Sequence, residues 1–424
     1  MNSPYAMKLL PALILSALAG NAAASAFQLL EQNASGLGNA YAGSAAVAEN
    51  ASTIFYNPAG MTQLKDHEFS TGGVLVAASF KFNDTGSQVG FLTNTGSGGN
   101  GGVLGVIPNA YMSWALNKDL YVGLGFGAPF GLKTKYDNPW VGAAQATSFD
   151  VKTYNINPSV AYRVNDSVSV GAGLNWQRLT AEYKRQVAVV SPLTAVSPLV
   201  LDLQDEAWGW NVGALFTVTP STKIGVSYRS QIKYKLSGDI NIVGPEPAIN
   251  NNSSDAAARL KLPDTLIVSG THQLSDKVQL LGDLSWTGWS TIPKLDVLRT
   301  SGPSSGQIAQ TLDTEFHDSI RVAVGANYQY RGDVKLKFGV AHDQTPVRSA
   351  ATRLVSLPDK NRIWLSTGAQ WAVNKDSVLD FGVTYLLLKK SRIDNDQSLQ
   401  GRGRVTGNFD ANAWLFGLQY SRAF

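Results

Sequence analysis

Residues 168–177 read Val168-Ser169-Val170-Gly171-Ala172-Gly173-Leu174-Asn175-Trp176-Gln177. Val168, Val170, Ala172, Leu174 and Trp176 share one face of an extended chain, while Ser169, Gly171, Gly173, Asn175 and Gln177 share the other. A period of two with one apolar face is the pattern of a β-strand. The C-terminal end repeats it. Trp414, Phe416, Leu418, Tyr420 and Phe424 alternate with Leu415, Gly417, Gln419 and Ser421, and Arg422 interrupts the apolar face near its end.

Working outward from these two stretches, strand-like segments fill the chain from His67 onward, joined by two kinds of connection. Six are tight polar turns: Asn117-Lys118-Asp119, Asn165-Asp166, Pro220-Ser221-Thr222, Ser275-Asp276-Lys277, Arg331-Gly332-Asp333 and Asn374-Lys375-Asp376. Seven are long and rich in Gly, Ser, Pro, Asn and Thr, at about 83–103, 128–147, 188–204, 239–255, 291–312, 346–359 and 393–406. Short and long connections alternate strictly. That is the layout of an up-and-down outer-membrane barrel, with short periplasmic turns and long outer loops. Thirteen connections predict fourteen strands, so the fold class is all-β, a 14-stranded antiparallel transmembrane β-barrel. Several segments exceed the roughly 9–11 residues that a tilted strand needs to cross the bilayer. The barrel is therefore expected to project beyond the outer leaflet.

Composition agrees. Charged residues are 16% and aromatics 10%, with 10 Trp and 41 Gly, which suits a chain that alternates lipid-facing and lumen-facing positions. Mean hydropathy is −0.07, far from a bundle of apolar helices. The net charge of +4 is too small and scattered for nucleic acid. There is no Cys, hence no disulfide or thiolate chemistry. The four His are far apart in sequence, so no metal site is expected. His342-Asp343 lacks the serine context of a triad, and neither enzyme activity nor a cofactor is expected.

Lys8, the apolar run 9–19 and Ala24-Ser25-Ala26 read as a signal peptide over residues 1–26, with Phe27 as the mature N-terminus. That places residues 67–424 in the barrel and leaves residues 27–66, which read FQLLEQNASGLGNAYAGSAAVAENASTIFYNPAGMTQLK through Lys65. Many of these residues are small and few are charged. A fourteen-strand lumen would leak unless something filled it, and this segment is read as a plug lodged inside.

With Asn57-Pro58-Ala59 in that plug, the chain resembles the FadL-type family of outer-membrane long-chain fatty acid transport proteins, whose relatives carry aromatic hydrocarbons. The similarity runs the full mature length. It is carried further by Pro129-Phe130-Gly131-Leu132 with Trp140, by Tyr154-Asn155-Ile156-Asn157-Pro158-Ser159, by Tyr228-Arg229-Ser230 and by Leu262-Pro263. Trp286-Thr287-x-Trp289-Ser290, Asp343-x-x-Pro346-Val347 and Pro358-Asp359-x-x-Arg362-x-Trp364-Leu365-Ser366 also fit. The resemblance implies a passive channel. Ligand enters an outer groove, moves to a pocket lined partly by the mature N-terminus, and leaves sideways into the membrane after the hatch shifts, through a gap made by an inward-kinked strand.

By that resemblance, Phe27, Leu29 and Leu30 line the inner pocket, and Asn57, Pro58 and Ala59 carry the gating. Phe126, Pro129, Phe130, Leu132 and Trp140 lie where the outer groove should be. A ligand carboxylate wants a cation partly removed from water, and Arg178, Lys184, Arg185 and His317 are the candidates. Some relatives carry lysine at the place of His317, so binding there would depend on pH. Expected partners are a long-chain fatty acid or similar hydrophobic molecule, outer-membrane lipid and lipopolysaccharide, with no nucleic acid and a monomeric state. The alternatives keep the fold and carry aromatic hydrocarbons or export oxygenated fatty acids. An adhesin or phage receptor would use its loops alone, and a general porin would have no need of a plug.

Overall fold

The structure is a computed structural model that describes residues 26–89, 95–188, 196–242 and 253–424. Apart from Ala26, the expected signal peptide lies outside the described residues.

Eight barrel strands are single segments: β1 (His67–Asp84), β2 (Leu104–Ala115), β5 (Ser148–Asn165), β6 (Val168–Ala188), β7 (Val196–Thr219), β16 (Val334–Asp343), β17 (Arg362–Ala372) and β20 (Arg404–Ala423). Six are broken in two: β3 (Leu120–Gly127) with β4 (Gly131–Lys135), β8 (Thr222–Arg229) with β9 (Ile232–Ile242), β10 (Ser254–Leu262) with β11 (Thr265–Ser275), β12 (Val278–Thr287) with β13 (Lys294–Arg299), β14 (Ile308–Asp313) with β15 (Ser319–Arg331), and β18 (Ser377–Leu388) with β19 (Ser391–Asp396). Fourteen strands result, each antiparallel to its neighbours. β1 closes the ring on β20 from Glu68↔Ala423 to Asp84↔Gly407. Closure satisfies the backbone groups that lipid cannot.

The six short turns fall where the sequence places them. Four long connections are shorter than expected, because β4 occupies 131–135, β7 starts at Val196, β13 and β14 fill much of 291–312, and β19 occupies 391–396. These stretches look like loops in composition because polar outward residues such as Asp202, Lys294, Arg392 and Asp396 are mixed with apolar ones. Their backbones nevertheless continue the ladder, as in Arg185↔Leu199 and Leu295↔Leu312.

With 21 and 24 residues, β6 and β7 overreach the bilayer, and their faces exchange character part-way. In the lower half, Val170, Leu174, Trp210, Val212 and Phe216 point outward to lipid while Asn175, Gln177 and Asn211 are buried inside. Further out, Leu179, Tyr183, Leu199, Leu201 and Leu203 are the buried inward residues, and Arg178, Glu182, Lys184, Asp202 and Gln204 take the outward face. The inversion marks where each strand leaves lipid for water and where the interior turns from polar to apolar.

The segment from Ala26 to Asp66 forms three short helical turns, Leu37–Asn39, Thr53–Tyr56 and Pro58–Gln63. It bonds to the wall on many sides: to Ser70 of β1, Ser169 of β6, Ala214 of β7, Ser269 of β11, Asp283 of β12, Asn327 of β15, Lys337 of β16, Thr384 of β18 and Gln419 of β20. A segment that touches strands all round a closed ring lies within it. Wall glycines make room. A Cβ on Gly213 would lie 2.1 Å from Asn57 Oδ1, and one on Gly339 would lie 2.1 Å from the Asn39 carbonyl carbon.

Candidate functional site

The apolar upper interior surrounds a cavity whose lining encloses about 810 Å³ of space, part of it open to solvent. Leu179, Tyr183, Leu201, Leu203 and Leu236 form one side, and Leu295, Val297, Leu312, Phe316, Leu354 and Leu357 the other. Phe27 forms part of the lining, its ring 4.9 Å from Trp289 and 5.9 Å from Phe130. Polar side chains are few. Tyr183 Oη is used up on the Gln145 carbonyl and Thr314 Oγ1 donates to the Ile292 carbonyl at 2.6 Å. Gln310 donates its amide to the Thr311 carbonyl at 3.2 Å, but its Oε1 is buried without a donor.

Above Tyr183, two residues along the same inward face, stands Arg185, within electrostatic reach of Arg402 and Arg299. Arg185 makes no ion pair among the described residues, and its Nε is buried without an acceptor. Arg402 donates to Gln397 and also leaves Nε without an acceptor. It shares a second, polar groove with Gln310 and Leu354 of the cavity lining. The Arg185 and Arg402 guanidiniums repel each other, and an anionic ligand relieves that.

Beside the cavity the wall opens. β2 pairs with β3 only through Ala110–Ala115. Beyond Gly127 the chain leaves the ladder, and β4 pairs with β5. The stretch between β3 and β4 bonds instead to the N-terminal segment: Leu29 N donates to the Pro129 carbonyl and Gly131 N to the Phe27 carbonyl, both at 2.8 Å. The β2 edge at 104–109 thus has no strand on this side. The Asn109 side chain is buried with neither amide atom partnered.

Lower down, Asn57 ties the segment to the wall. Its Nδ2 donates to the carbonyls of Ala45 (2.7 Å) and Ala214 (2.9 Å), and its Oδ1 accepts from Ala59 N at 3.1 Å. Pro58 and Ala59 sit against Gly171, where a Cβ would lie 2.6 Å from the Pro58 carbonyl carbon. Arg229 lies over the Phe55 ring at 4.2 Å and donates to its carbonyl at 2.9 Å. Glu49 pairs with Lys335 (2.9 Å) and Lys337 (2.8 Å), and Lys337 also meets Asp380 at 3.1 Å. Burial alone would raise the Glu49 carboxyl, but the two lysines hold it well below the usual range. Glu31 is the opposite case: burial pushes it up to about 7, against the pull of Arg362 and Arg321.

The remaining candidates divide. Leu29 is buried beside Ala128, and Leu30 borders a small polar cavity with Arg321 and Asp343. Neither lines the apolar cavity. Phe130 and Leu132 are buried in the same apolar cluster as Phe27. Phe126 is on the outward face, stacked on Tyr154 at 6.4 Å, because the inward positions of β3 are Tyr121, Gly123, Gly125 and Gly127. Trp140 is fully buried under the loops, stacked on Tyr136 at 4.3 Å with its Nε1 on the Ala146 carbonyl. Arg178 and Lys184 point outward to Glu206 (3.7 Å) and Glu182 (2.9 Å). His317 uses Nδ1 on the Asp318 carbonyl at 2.6 Å. Of the four proposed cations, only Arg185 stands over the cavity. The sequence gives no site role to Arg402, Gln310 or Trp289, although Trp289 stands in a family motif. The inward apolar run of the upper strands is the signal that could have found the cavity wall, but nothing local marks Arg402.

The sequence pattern of the outer membrane protein transport protein family (OMPP1/FadL/TodX) matches residues 15–424. Outer membrane protein P1 of Haemophilus influenzae is 31% identical over 450 aligned positions, covering 96% of both chains. The long-chain fatty acid transport protein of Escherichia coli K12 is 28% identical, covering 97% of both. Among solved structures, a Pseudomonas aeruginosa FadL homologue superposes with a TM-score of 0.84 over 94% of this chain and 99% of its own, at 23% identity. The Ralstonia pickettii toluene transporter TbuX superposes with a TM-score of 0.68 over 93% of this chain and 100% of its own, at 17% identity. The chain belongs to the OMPP1/FadL/TodX family, the outer-membrane barrels that carry hydrophobic molecules as channels rather than transform them as enzymes.

Proposed function

We propose that this protein takes up long-chain fatty acids passively across the outer membrane. One observation carries the reading: an apolar cavity, closed in part by Phe27, stands beneath the cationic rim of Arg185 and Arg402. An amphiphile with a long apolar tail and one carboxylate matches both parts. The tail gains roughly 0.8 kcal/mol per buried methylene, and the carboxylate relieves the crowding of the guanidiniums. The E. coli relative's name points to the same cargo. Exit is sideways. The N-terminal segment is bonded to the β3–β4 break, so a ligand that displaces Phe27 loosens the backbone that borders the open β2 edge. Asn57-Pro58-Ala59 sets where that segment rests.

The test is pulse uptake of labelled oleate in cells that lack their own fatty acid channel and carry this protein. Wild type should restore uptake. Pro58→Ala should reduce it, with the barrel still inserted. Arg185→Gln with Arg402→Gln should raise the half-saturating oleate concentration about tenfold, as expected for loss of a charge-assisted contact. Unchanged uptake in both variants would sink the reading.

A second reading changes the cargo. Gln310 Oε1 is a buried acceptor with no donor on an otherwise apolar wall. A hydroxyl along the acyl chain would satisfy it, whereas a plain chain leaves the desolvated acceptor unmade. Tighter binding of a hydroxylated fatty acid than of oleate, lost in Gln310→Leu, would favour oxygenated cargo. Equal binding of the two would remove it.

A further inference from the structure

Outside the barrel, above the lipid-facing aromatics, lies a group of cations that the channel reading does not use. Trp176 pairs with Trp208, and the Trp210 ring is 5.4 Å from Tyr228. Together with Trp286, opposite Leu266, these outward rings mark the outer interface. Five residues beyond Tyr228 on the same broken strand, Lys233 and then Lys235 point outward and are exposed. On the neighbouring strand Arg259 and Lys261 do the same. The register sets Lys233 directly opposite Lys261 and Lys235 directly opposite Arg259. Directly opposed residues stand about 5 Å apart at Cβ, where like charges destabilise a sheet. Five strand residues tilted by about 40° rise about 12 Å above the girdle.

The surrounding cations are matched. Lys133 and Lys152 hold Asp150 at 2.9 and 3.1 Å, and Lys184 holds Glu182 at 2.9 Å. Lys294 holds Asp296 at 2.8 Å. The four on β9 and β10 have no ion pair among the described residues. The nearby carboxylates are engaged: Asp205 accepts from the Lys235 backbone N–H at 2.7 Å, Glu206 faces Arg178, and Asp264 accepts from Tyr228 and Gln231. Asp239 and Asp255 stand opposite each other four residues further out, about 13 Å along the strands. That exceeds the screening length of about 8 Å at physiological salt.

We propose that Lys233, Lys235, Arg259 and Lys261 form a docking site for the phosphates of lipid A in the outer leaflet. The location decides among phosphate sources. The patch faces away from the lumen, on the membrane-side wall, at headgroup height. Two phosphates on one rigid headgroup suit two opposed cation pairs. Bound there, the lipid would hold the barrel beside the wall of β9 and β10 and relieve the repulsion built into the register.

The experiment uses protein refolded free of lipopolysaccharide in detergent micelles, with folding read from its heat-modifiable gel mobility. Binding of lipid A is compared with binding of lipid A stripped of both phosphates. Wild type should prefer the phosphorylated lipid by about tenfold to a hundredfold, in line with the contribution of each basic residue at an anionic surface. The variant Lys233→Gln, Lys235→Gln, Arg259→Gln, Lys261→Gln should lose that preference. A Lys152→Gln, Lys294→Gln control, which removes matched cations, should keep it. Equal binding of both lipids by wild type would overturn the proposal, and this arm needs no mutant to fold. Inorganic phosphate alone binding as tightly as lipid A would overturn the lipid assignment.

Discussion

Glu31 and Glu49 are both acidic residues inside the barrel, the first fully and the second largely buried, and their surroundings give them opposite fates. Glu49 has two lysines at hydrogen-bond distance and stays charged. Removing that charge in Glu49→Gln leaves buried Lys337 with Asp380 as its one carboxylate, beside the Ser35 carbonyl. Loss of a charge-assisted contact from a buried network that keeps its other counter-ion costs about 1–3 kcal/mol. Faster amide exchange in the N-terminal segment, with the outer strands unchanged, is the expected result. Glu31 has no side-chain donor on either carboxyl oxygen, and burial raises its carboxyl to about 7. An unfolded glutamate releases its proton near 4.5. Between those values the folded chain holds a proton that the unfolded chain has lost. Its contribution to stability is therefore full below pH 4.5 and falls as pH rises through 7, by about 3 kcal/mol in all. Urea midpoints at pH 5 and pH 8, in detergent, should separate for wild type by more than for Glu31→Gln. Identical separations would mean that Glu31 is not what titrates.

At the scale of the strand, β6 holds the lesson about what the sequence makes legible. Its lower ten residues alternate cleanly, and that alternation with the turn spacing leads to fourteen strands. Its upper half alternates just as cleanly but in the opposite phase, from Arg178 outward. A single amphipathic pattern does not anticipate the exchange, because it arises where water replaces lipid outside and ligand space replaces the polar plug inside. Read with the phase allowed to flip, Leu179 and Tyr183 become cavity wall, and Arg178 and Lys184 become surface. Phe126 faces outward because one-residue parity decides its face, and the break after Gly127 hides that parity in the sequence. Arg402 stays out of reach because its place depends on a loop fold. The unpaired β2 edge was likewise invisible, since pairing is a property of two strands. It yields a prediction at this scale. Asn109→Trp fills the buried space at that edge. Oleate uptake should fall severalfold while oleate binding by the purified barrel persists. Loss of both together would place Asn109 in the binding site instead of on the way out.

For the whole molecule, the central relation is between a closed ring wide enough to leak and the segment that fills it. The fit is made backbone against backbone. Asn57 reaches the wall because Gly213 offers no side chain, and Asn39 packs on Gly339 for the same reason. Such contacts tolerate no added atoms, so they fix one seating of the segment. The ring itself rests on other bonds, chiefly the ladder from β1 to β20. Seating and barrel integrity can therefore be separated. Gly213→Leu would push a side chain through the position of the Asn57 amide, and overpacking of this kind costs about 1–3 kcal/mol or more. The segment has a way to respond, by lifting Asn57-Pro58-Ala59 off the wall. The ladder has none and should persist. The expected result is a barrel that still shifts on heating in a gel but shows steady conductance in a planar bilayer, where wild type should be nearly silent. A variant as silent as wild type would mean that the seal lies higher, at Phe27 and the loops, and that Asn57 positions the segment without closing the pore.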